Sequence, residues 1–249
     1  MNRSNTYIVI STCLTSETAC KCLIECVSFV HRYYSNILII NDTPQDGIDI
    51  YQLEFPCKVK IIRNEFNKSG ELTRIYYFWK YCKETDYGIL IHDSTFINSS
   101  IYISKTFDYI PLFSFEHKWN NTIEERKLIK NYTNLLKIYD NKDIWKGTFG
   151  IQYIVSWQFI NKVMFQYNDL FEYLLETVKT RTLRSCCERV IQVIFQSVSN
   201  KYINPLFNTI HNYTAKYCGT SFGFLYETYI KNKAYYIKHM PIIKIWLGR

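Results

Sequence analysis

The sequence predicts an α/β fold in which a mostly parallel sheet is flanked by helices, within a single domain of 249 residues. Short apolar runs alternate with amphipathic stretches along the first half of the chain, in the order strand, helix, strand, strand, helix, strand. The apolar runs are continuous rather than alternating, which is typical of parallel strands that are buried on both faces. Polar residues follow each run, and they indicate a ligand site at one edge of the sheet.

Four apolar runs have the length of buried strands. They are Tyr7–Ile10, Ile37–Ile40, Val59–Ile62 and Gly88–Ile91. The polar residues that follow them are Thr12, Asp42, Asn64 and Asp93. Because the carboxyl ends of parallel strands lie on the same edge of a sheet, we expect these side chains to converge there.

Two amphipathic helices connect these strands. The first begins at Ser16, and the second begins at Ser69. The first helix has apolar residues at the i, i+3, i+4 and i+7 spacing of a helix that lies on a sheet, namely Ala19, Cys22, Leu23, Cys26, Val27 and Val30. The second helix has its apolar face at Leu72, Ile75, Tyr76, Trp79 and Cys82.

The second half of the chain is less regular. A capping box at Thr122 and Glu125 begins a charged helix that extends to about Lys137. Gly147 and Gly150 either let the backbone approach a ligand closely or form a turn. The other predicted elements are a strand at Ile110–Phe115, an apolar run at Ile151–Val155, helices at Phe159–Thr177 and Ser185–Ser199, and a last strand or folded-back loop within Ala234–Arg249.

The composition limits the classes of function. The formal charge of +8 is spread along the chain, which argues against a nucleic-acid-binding arm and agrees with a basic pocket for a phosphate-bearing small molecule. The nine cysteines form no zinc-spaced pairs of CxxC motifs, so we expect reduced thiols and a cytoplasmic protein. The apolar runs are all shorter than the roughly 18 residues of a membrane span, so none is expected.

The stretch Tyr87–Thr95 contains the residues with the clearest chemistry. Its buried strand stops at His92, Asp93 and Ser94, which can bind metal or phosphate. The alternative is that Asp93 and Ser94 only turn the chain or cap the segment that follows.

The order of these motifs resembles that of nucleotide-sugar glycosyltransferases with the GT-A fold, which is Rossmann-like. Ser11, Thr12 and Cys13 resemble the first-strand loop that cups the nucleoside. Asp42 resembles the acid that binds uracil or ribose, although Asn-Asp-Thr-Pro is also a turn sequence. The residues that resemble the opening of the helix before the metal-binding strand are Asn64, Gly70 and Arg74. The segment Lys244–Arg249 is similar to small glycosyltransferases of large DNA viruses.

The resemblance implies a nucleotide-sugar donor, UDP-linked by default, and a glycan or glycoprotein acceptor. It assigns nucleotide binding to about residues 6–95 and acceptor binding to about residues 96–249. It also implies a Mn²⁺ or Mg²⁺ ion at Asp93, where His92 and Ser94 stand in place of a second carboxylate. A late histidine, His211 or His239, completes that site, and the alternative is metal-independent binding by Lys or Arg.

Two acids are candidates for the base that takes the proton of the acceptor hydroxyl. Glu188 resembles the base of inverting members, but Ser185 and Glu188 also have the spacing of a capping box. Glu116 follows a predicted strand on the acceptor side. Arg74 likewise has two interpretations, because it either reaches the diphosphate or lies on a solvated face of its helix.

Two other functions are compatible with the sequence. A nucleotidyltransferase has a similar sheet but usually carries a Gly-rich basic loop after the first strand, and Thr12–Glu17 contains neither Gly nor a base. A degenerate glycosyltransferase-like module would bind a nucleotide or a glycan without turnover, which a single carboxylate at residues 92–94 allows. Nucleic-acid binding is disfavoured because the aromatic residues follow strand and helix patterns rather than lying beside clustered Lys and Arg.

Overall fold

A computed structural model describes residues 5–101, 107–217 and 219–247. The strands in these ranges are β1 (Thr6–Thr12), β2 (Asn36–Asn41), β3 (Lys60–Arg63), β4 (Tyr87–His92), β5 (Thr95–Ile97), β6 (Tyr109–Pro111), β7 (Ser114–Phe115), β8 (Gly147–Thr148), β9 (Tyr153–Ser156) and β10 (Ile242–Lys244). The α-helices are α1 (Glu17–Val30), α2 (Thr73–Tyr81), α3 (Thr122–Leu128), α4 (Thr133–Asp140), α5 (Trp157–Thr177), α6 (Arg181–Ser199), α7 (Ile210–Lys216), α8 (Tyr226–Lys231) and α9 (Lys233–His239).

The predicted α/β fold with a mostly parallel sheet is confirmed. Six strands form the central sheet in the spatial order β3-β2-β1-β4-β9-β6. β1 pairs in parallel with β2 and β4, and β2 pairs in parallel with β3, whereas β9 runs antiparallel to β4 and β6. The antiparallel pairs β5–β10 and β7–β8 form two further small sheets.

Both faces of the central sheet are covered, which explains why its strands are continuously apolar. Successive side chains of a strand point to opposite faces. Val9 belongs to a hydrophobic core that includes α2, α5 and α6. Ile8 and Ile10 belong to a second core that includes α1 and apolar residues of the segment 224–247. The segment 224–247 is therefore part of the domain core.

The first predicted helix is confirmed in its start and in its buried face. The side chain of Ser16 caps α1 by accepting a hydrogen bond from Ala19 N. The predicted stripe is buried, as are Cys20 and Phe29 beside it. A helix of this kind is held mainly by burial of its apolar face against the sheet.

The second predicted helix is present, but its buried face is rotated. A 3₁₀ turn at Gly70–Leu72 precedes α2, and Tyr77 and Phe78 are fully buried, while Tyr76 and Trp79 are only partly buried. A 3₁₀ helix has about 3.0 residues per turn instead of 3.6, so the helix that follows is turned relative to a continuous α-helix.

The predicted helix from Thr122 to about Lys137 is divided into α3 and α4. Asn121 caps α3 rather than Thr122, because Asn121 Oδ1 accepts from Glu124 N while Glu125 Oε1 accepts from Asn121 N at 2.7 Å. The break between the helices lets Ile129 enter the core with no exposed surface.

Two further predictions are corrected in the second half. The predicted strand Ile110–Phe115 is split, because Leu112 N still bonds to Gln152 O beside β9, whereas Ser114 pairs with Thr148 of β8. The tail contains the predicted last strand, β10, but also the helix α9, which the sequence analysis did not identify. Residues 248 and 249 of that tail lie outside the described residues.

Among the helices in the described ranges, none combines the length and the apolar character that crossing a membrane demands.

Phe96 of β5 joins the central core to the C-terminal segment. Its fully buried ring lies 5.6 Å from the ring of Phe29 and 5.3 Å from that of Tyr229. We expect Phe96→Ala to lower the free energy of unfolding by about 3–5 kcal/mol, since it leaves a cavity in the core. Urea unfolding at equilibrium measures this loss.

Phe165 on α5 is the matched control because its side chain is 93% exposed. Phe165→Ala is expected to change the free energy of unfolding by no more than about 0.5 kcal/mol. Equal losses for the two variants would contradict the assignment of Phe96 to the core.

Candidate functional site

A cavity of about 730 Å³ lies at the carboxyl edge of the parallel strands. Its volume is within the range of small-molecule sites, roughly 300–1,000 Å³. The predicted site residues that line it are Ser11, Thr12, Cys13, Asp42, Gly70, His92, Asp93, Ser94, Glu188 and His211. Those that do not line it are Asn64, Arg74, Glu116 and His239. The predicted convergence of strand ends is therefore confirmed for β1, β2 and β4.

The centre of the cavity lies where β1 and β4 end side by side. Thr12 Oγ1 donates a hydrogen bond of 2.7 Å to Asp93 Oδ2, and the Asp93 side chain is buried. The helices that lead away from β1 and into β4 pack on opposite faces of the sheet. This divergence opens a crevice at the strand ends, which is where open α/β sheets bind ligands.

Asp42 holds the loop that leads into α2. Its Oδ1 accepts from Asn64 Nδ2 at 2.7 Å and from Lys68 N at 2.9 Å, and its Oδ2 accepts from Gly70 N at 3.2 Å. Asn64 Oδ1 in turn accepts from Phe66 N at 3.0 Å. Asn64 thus holds the Asp42 carboxylate but does not line the cavity itself. This corrects the predicted place of Asn64 in the nucleotide site.

Arg74 is placed differently from both of its sequence interpretations. The side chain is fully buried, so it lies neither in the cavity nor on a solvated helix face. Its Nη2 donates to the carbonyls of Gly150 and Ile151, and its Nε donates to Glu71 O at 3.3 Å. Burial lowers the pKa of Arg74 to about 10, although the charges of nearby acids oppose this. Arg74 therefore supports the turn at Gly150, which lines the cavity, but does not line the cavity itself.

Gly150 forms a turn in the cavity wall that contacts both His92 at the end of β4 and Glu188. Its φ of 63° lies in the left-handed region, and a Cβ at this position would collide with His92 Nε2. Gly150 O accepts from His92 Nε2 at 3.0 Å, and Gly150 N donates to Glu188 Oε1 at 2.9 Å. Of the two interpretations of this Gly-containing segment, the turn is observed, and it lies in the cavity wall.

The predicted capping box at Ser185 is wrong. Helix α6 begins four residues earlier, at Arg181, where the Thr180 side chain accepts from Leu183 N at 3.2 Å. Ser185 instead donates its hydroxyl to Thr182 O inside the helix. Glu188 is therefore inside α6 with its carboxylate at the cavity, and capping does not account for it.

The environment of Glu188 favours the protonated form of its carboxyl group. Burial raises the pKa of Glu188 to about 8, and the charge of Glu71 adds to this, whereas Arg189 and the Gly150 N–H act in the opposite direction. Arg189 Nη1 lies 3.3 Å from Glu188 Oε2, and the Glu188 side chain is 17% exposed. A carboxyl group with a raised pKa in a cavity is typical of acid–base catalysis.

Glu116 and His239 are placed outside the cavity. The 56% exposed Glu116 side chain accepts from Lys146 Nζ at 2.8 Å. The ring of His239 packs against that of Tyr235 on α9, with 4.5 Å between ring centroids. These placements separate both residues from Asp93, so Glu116 as a base and His239 as a metal ligand are not supported.

His211 has the geometry of a metal ligand or proton acceptor. Its Nδ1 lies 2.7 Å from Ser221 O, so Nδ1 carries a proton and donates it to this carbonyl. Nε2 has no hydrogen-bond partner among the described residues, although it is buried. A backbone carbonyl on the other ring nitrogen is the arrangement that orients histidine ligands of metals.

The residues present fit a divalent cation in part. The described residues include no cluster of three or more His, Cys, Asp or Glu side chains that could hold a metal by themselves. Asp93 and His211 both line the cavity, and carboxylate oxygen and imidazole nitrogen are donors that Mn²⁺ accepts.

Sequence reasoning missed several residues of the cavity wall. Lys244 is the clearest, because a lone cation in the apolar run Ile242–Ile245 is a signal of a buried charge. The aromatic residues of the wall include Phe149, Phe222 and Trp246. They had no comparable signal in the sequence, because they lie far apart along the chain. The other missed lining residues include Lys68, Arg181, Arg184, Arg189, Phe149, Phe222 and Trp246.

No protein-family model matches the chain, and no curated protein matches it.

The raised pKa of Glu188 predicts a pH-dependent effect on stability. The carboxyl group holds its proton up to about pH 8 in the folded state and releases it near its ordinary pKa of 4.5 in the unfolded state. The folded state thus binds more protons in this window, so Glu188 makes the protein less stable as the pH rises through it. We expect Glu188→Gln to gain stability over the wild type, by on the order of 1–2 kcal/mol, between pH 6 and pH 9.

Glu176→Gln, at an exposed position of α5, is the matched control and should show no such gain. Urea unfolding at both pH values measures the difference for each variant. The same offset at pH 6 and pH 9 for Glu188→Gln would contradict a raised pKa at this position.

Proposed function

We propose that the protein is a GT-A glycosyltransferase, which transfers a sugar from a nucleotide-sugar donor to a hydroxyl group of a glycan or glycoprotein. The observation that carries this proposal is the meeting of Asp42, Asp93 and Glu188 in one cavity at the carboxyl edge of the sheet. Each acid comes from a different element, and their order along the chain agrees with the resemblance that the sequence shows.

The proposed nucleoside site is the end of the cavity formed by the loops after β1 and β2. Ser11, Thr12 and Cys13 follow one another along its wall, and Asp42 and Gly70 lie in the same cavity. Hydroxyl and carboxylate groups of this kind can bond to a ribose or a base. UDP-linked sugars are the first donors to test.

Asp93 and His211 are the proposed ligands of a Mn²⁺ or Mg²⁺ ion. Such an ion, when bound, neutralises the charge that develops on the departing diphosphate. The role of Thr12 is to orient Asp93, because its hydroxyl donates to Asp93 Oδ2.

Glu188 is the proposed base of an inverting transfer. The acceptor oxygen bonds to the anomeric carbon while the bond from that carbon to the phosphate oxygen breaks, and the bonding electrons leave with the nucleoside diphosphate. The proton of the acceptor hydroxyl passes to the Glu188 carboxylate. Arg189 on Oε2 and Gly150 N on Oε1 hold this carboxylate in place.

The proposed setting of the protein is the cytoplasm, or the cytoplasm of the host cell if the chain is viral.

A binding module without turnover is the second candidate. The Asp42 carboxylate is engaged by the three donors of the loop before α2, and residues 92–94 provide one carboxylate. Both observations agree with a cavity that binds a nucleotide without transferring its sugar.

A thermal-shift screen of nucleotides and nucleotide sugars, with and without Mn²⁺, is the first test. A ligand of the folded state at a hundredfold over its Kd stabilises it by about 2.7 kcal/mol. We expect a shift with one nucleotide family, and Asp93→Ala should lose the Mn²⁺-dependent part. A flat response across the panel, by a folded protein, would contradict the glycosyltransferase and a module that binds a nucleotide.

Transfer of a radiolabelled sugar from the donor found in the screen separates the two candidates, with water and a panel of methyl glycosides as acceptors. Glu188→Gln should lower kcat by about 10²–10⁴-fold while donor binding is kept. Glu116→Gln is the control, because Glu116 lies outside the cavity. Donor binding by the wild type without transfer to any acceptor would favour the binding module.

The pH profile of the same transfer tests the role of Glu188. A base must be ionised, so kcat/KM of the wild type should rise with pH and level off above the pKa of about 8. A rate that does not change between pH 6 and pH 9 would contradict Glu188 as the base.

A further inference from the structure

Lys244 is a buried cation in the wall of the same cavity. It is the last residue of β10, its exposure is 5%, and it lines the cavity. β10 pairs antiparallel with β5, and Lys244 lies opposite Thr95, two residues after Asp93. The C-terminal strand therefore delivers a positive charge to the point where β4 ends.

The position of the ammonium group is fixed by its neighbours. Lys244 Nζ donates to Ser94 Oγ at 2.8 Å and to Ile245 O at 2.6 Å. The backbone is held on both sides, because Phe224 N donates to Lys244 O and Ile245 N donates to Ser94 O, each at 2.8 Å. Such fixation means that little reorganisation is needed when an anion binds.

The chemistry of the proposed donor gives this cation a role. A nucleoside diphosphate leaves with an added negative charge on its terminal phosphate, and it does so beside the carboxylate of Asp93. A fixed ammonium group in a low-dielectric wall stabilises such charge more strongly than a solvated one. The other Lys and Arg residues that line the cavity are Lys68, Arg181, Arg184 and Arg189.

We infer that Lys244 binds the terminal phosphate of the nucleoside diphosphate directly, and that it provides the metal-independent part of diphosphate binding. The inference rests on the proposed function, since it names a further residue of that donor site. It also moves part of the donor site from residues 6–95 to the end of the chain.

Calorimetric titration in a metal-free buffer with EDTA tests the inference. The probes are UDP, UMP and inorganic pyrophosphate, with ADP, GDP and CDP as parallel diphosphates. We expect Lys244→Met to weaken the binding of UDP and pyrophosphate by about ten- to a hundredfold, and that of UMP by less than about threefold, because the lost bond is to a charged phosphate. Lys238→Met, at an exposed position of α9, should bind like the wild type.

The outcomes distinguish failure of the inference from failure of the proposed function. If the wild type binds diphosphates and Lys244→Met keeps the same preference for UDP over UMP, the inference is wrong and the proposed function is unaffected. If the folded wild type binds no diphosphate or pyrophosphate with or without Mn²⁺, both are wrong.

A second variant decides the matter if Lys244→Met does not fold. Ser94→Ala keeps both Lys244 and Asp93 but removes the hydroxyl that orients the ammonium group. It should weaken UDP and pyrophosphate binding by about three- to tenfold and leave UMP binding nearly unchanged. An unchanged preference for UDP over UMP in this variant would overturn the inference.

Discussion

The buried guanidinium of Arg74 holds the turn at Gly150, which contacts both β4 and α6 in the cavity wall. Arg74 belongs to the first turn of α2, and its Nη2 donates to the carbonyls of Gly150 and Ile151. Gly150 O also accepts from His92 Nε2 at the end of β4, and Gly150 N donates to Glu188 Oε1 of α6. Since one turn positions side chains from β4 and α6, loss of the Arg74 bonds would disturb both at once.

The charges around this turn depend on one another. Burial of Arg74 disfavours its own charge, and the carboxylates of Glu71, Asp93 and Glu188 favour it. The cation in turn lowers the pKa of Glu188, against the larger effect of burial. The balance leaves Glu188 with a pKa of about 8. A general base works best when its pKa is close to the working pH, because it is then partly ionised and still has a high affinity for a proton. A buried positive charge outside the cavity thus adjusts a group inside it.

The strands and their polar ends could be predicted from the sequence because both signals are local. Continuous apolar runs mark strands covered on two faces, and in a parallel sheet their ends must share one edge. The start of α6 could not be predicted in this way, because Thr180 and Ser185 both have the chemistry of a cap and only the packing of the helix selects Thr180. Arg74 was ambiguous for a related reason. An arginine in a helix is normally solvated, and its burial follows from a carbonyl that lies 76 residues further along the chain.

The histidines and the C-terminal strand illustrate the same limit at longer range. Nothing local distinguishes His211 from His239, yet only His211 has its ring fixed by a carbonyl at the cavity wall. Lys244 reaches the cavity because β10 pairs with β5, and β5 directly follows the strand end that carries Asp93. Lys244 of β10, the last strand among the described residues, therefore lines the cavity, and the core residues that pack against β10 also fix the position of Lys244. The residues that line the cavity therefore come from both of the ranges 6–95 and 96–249.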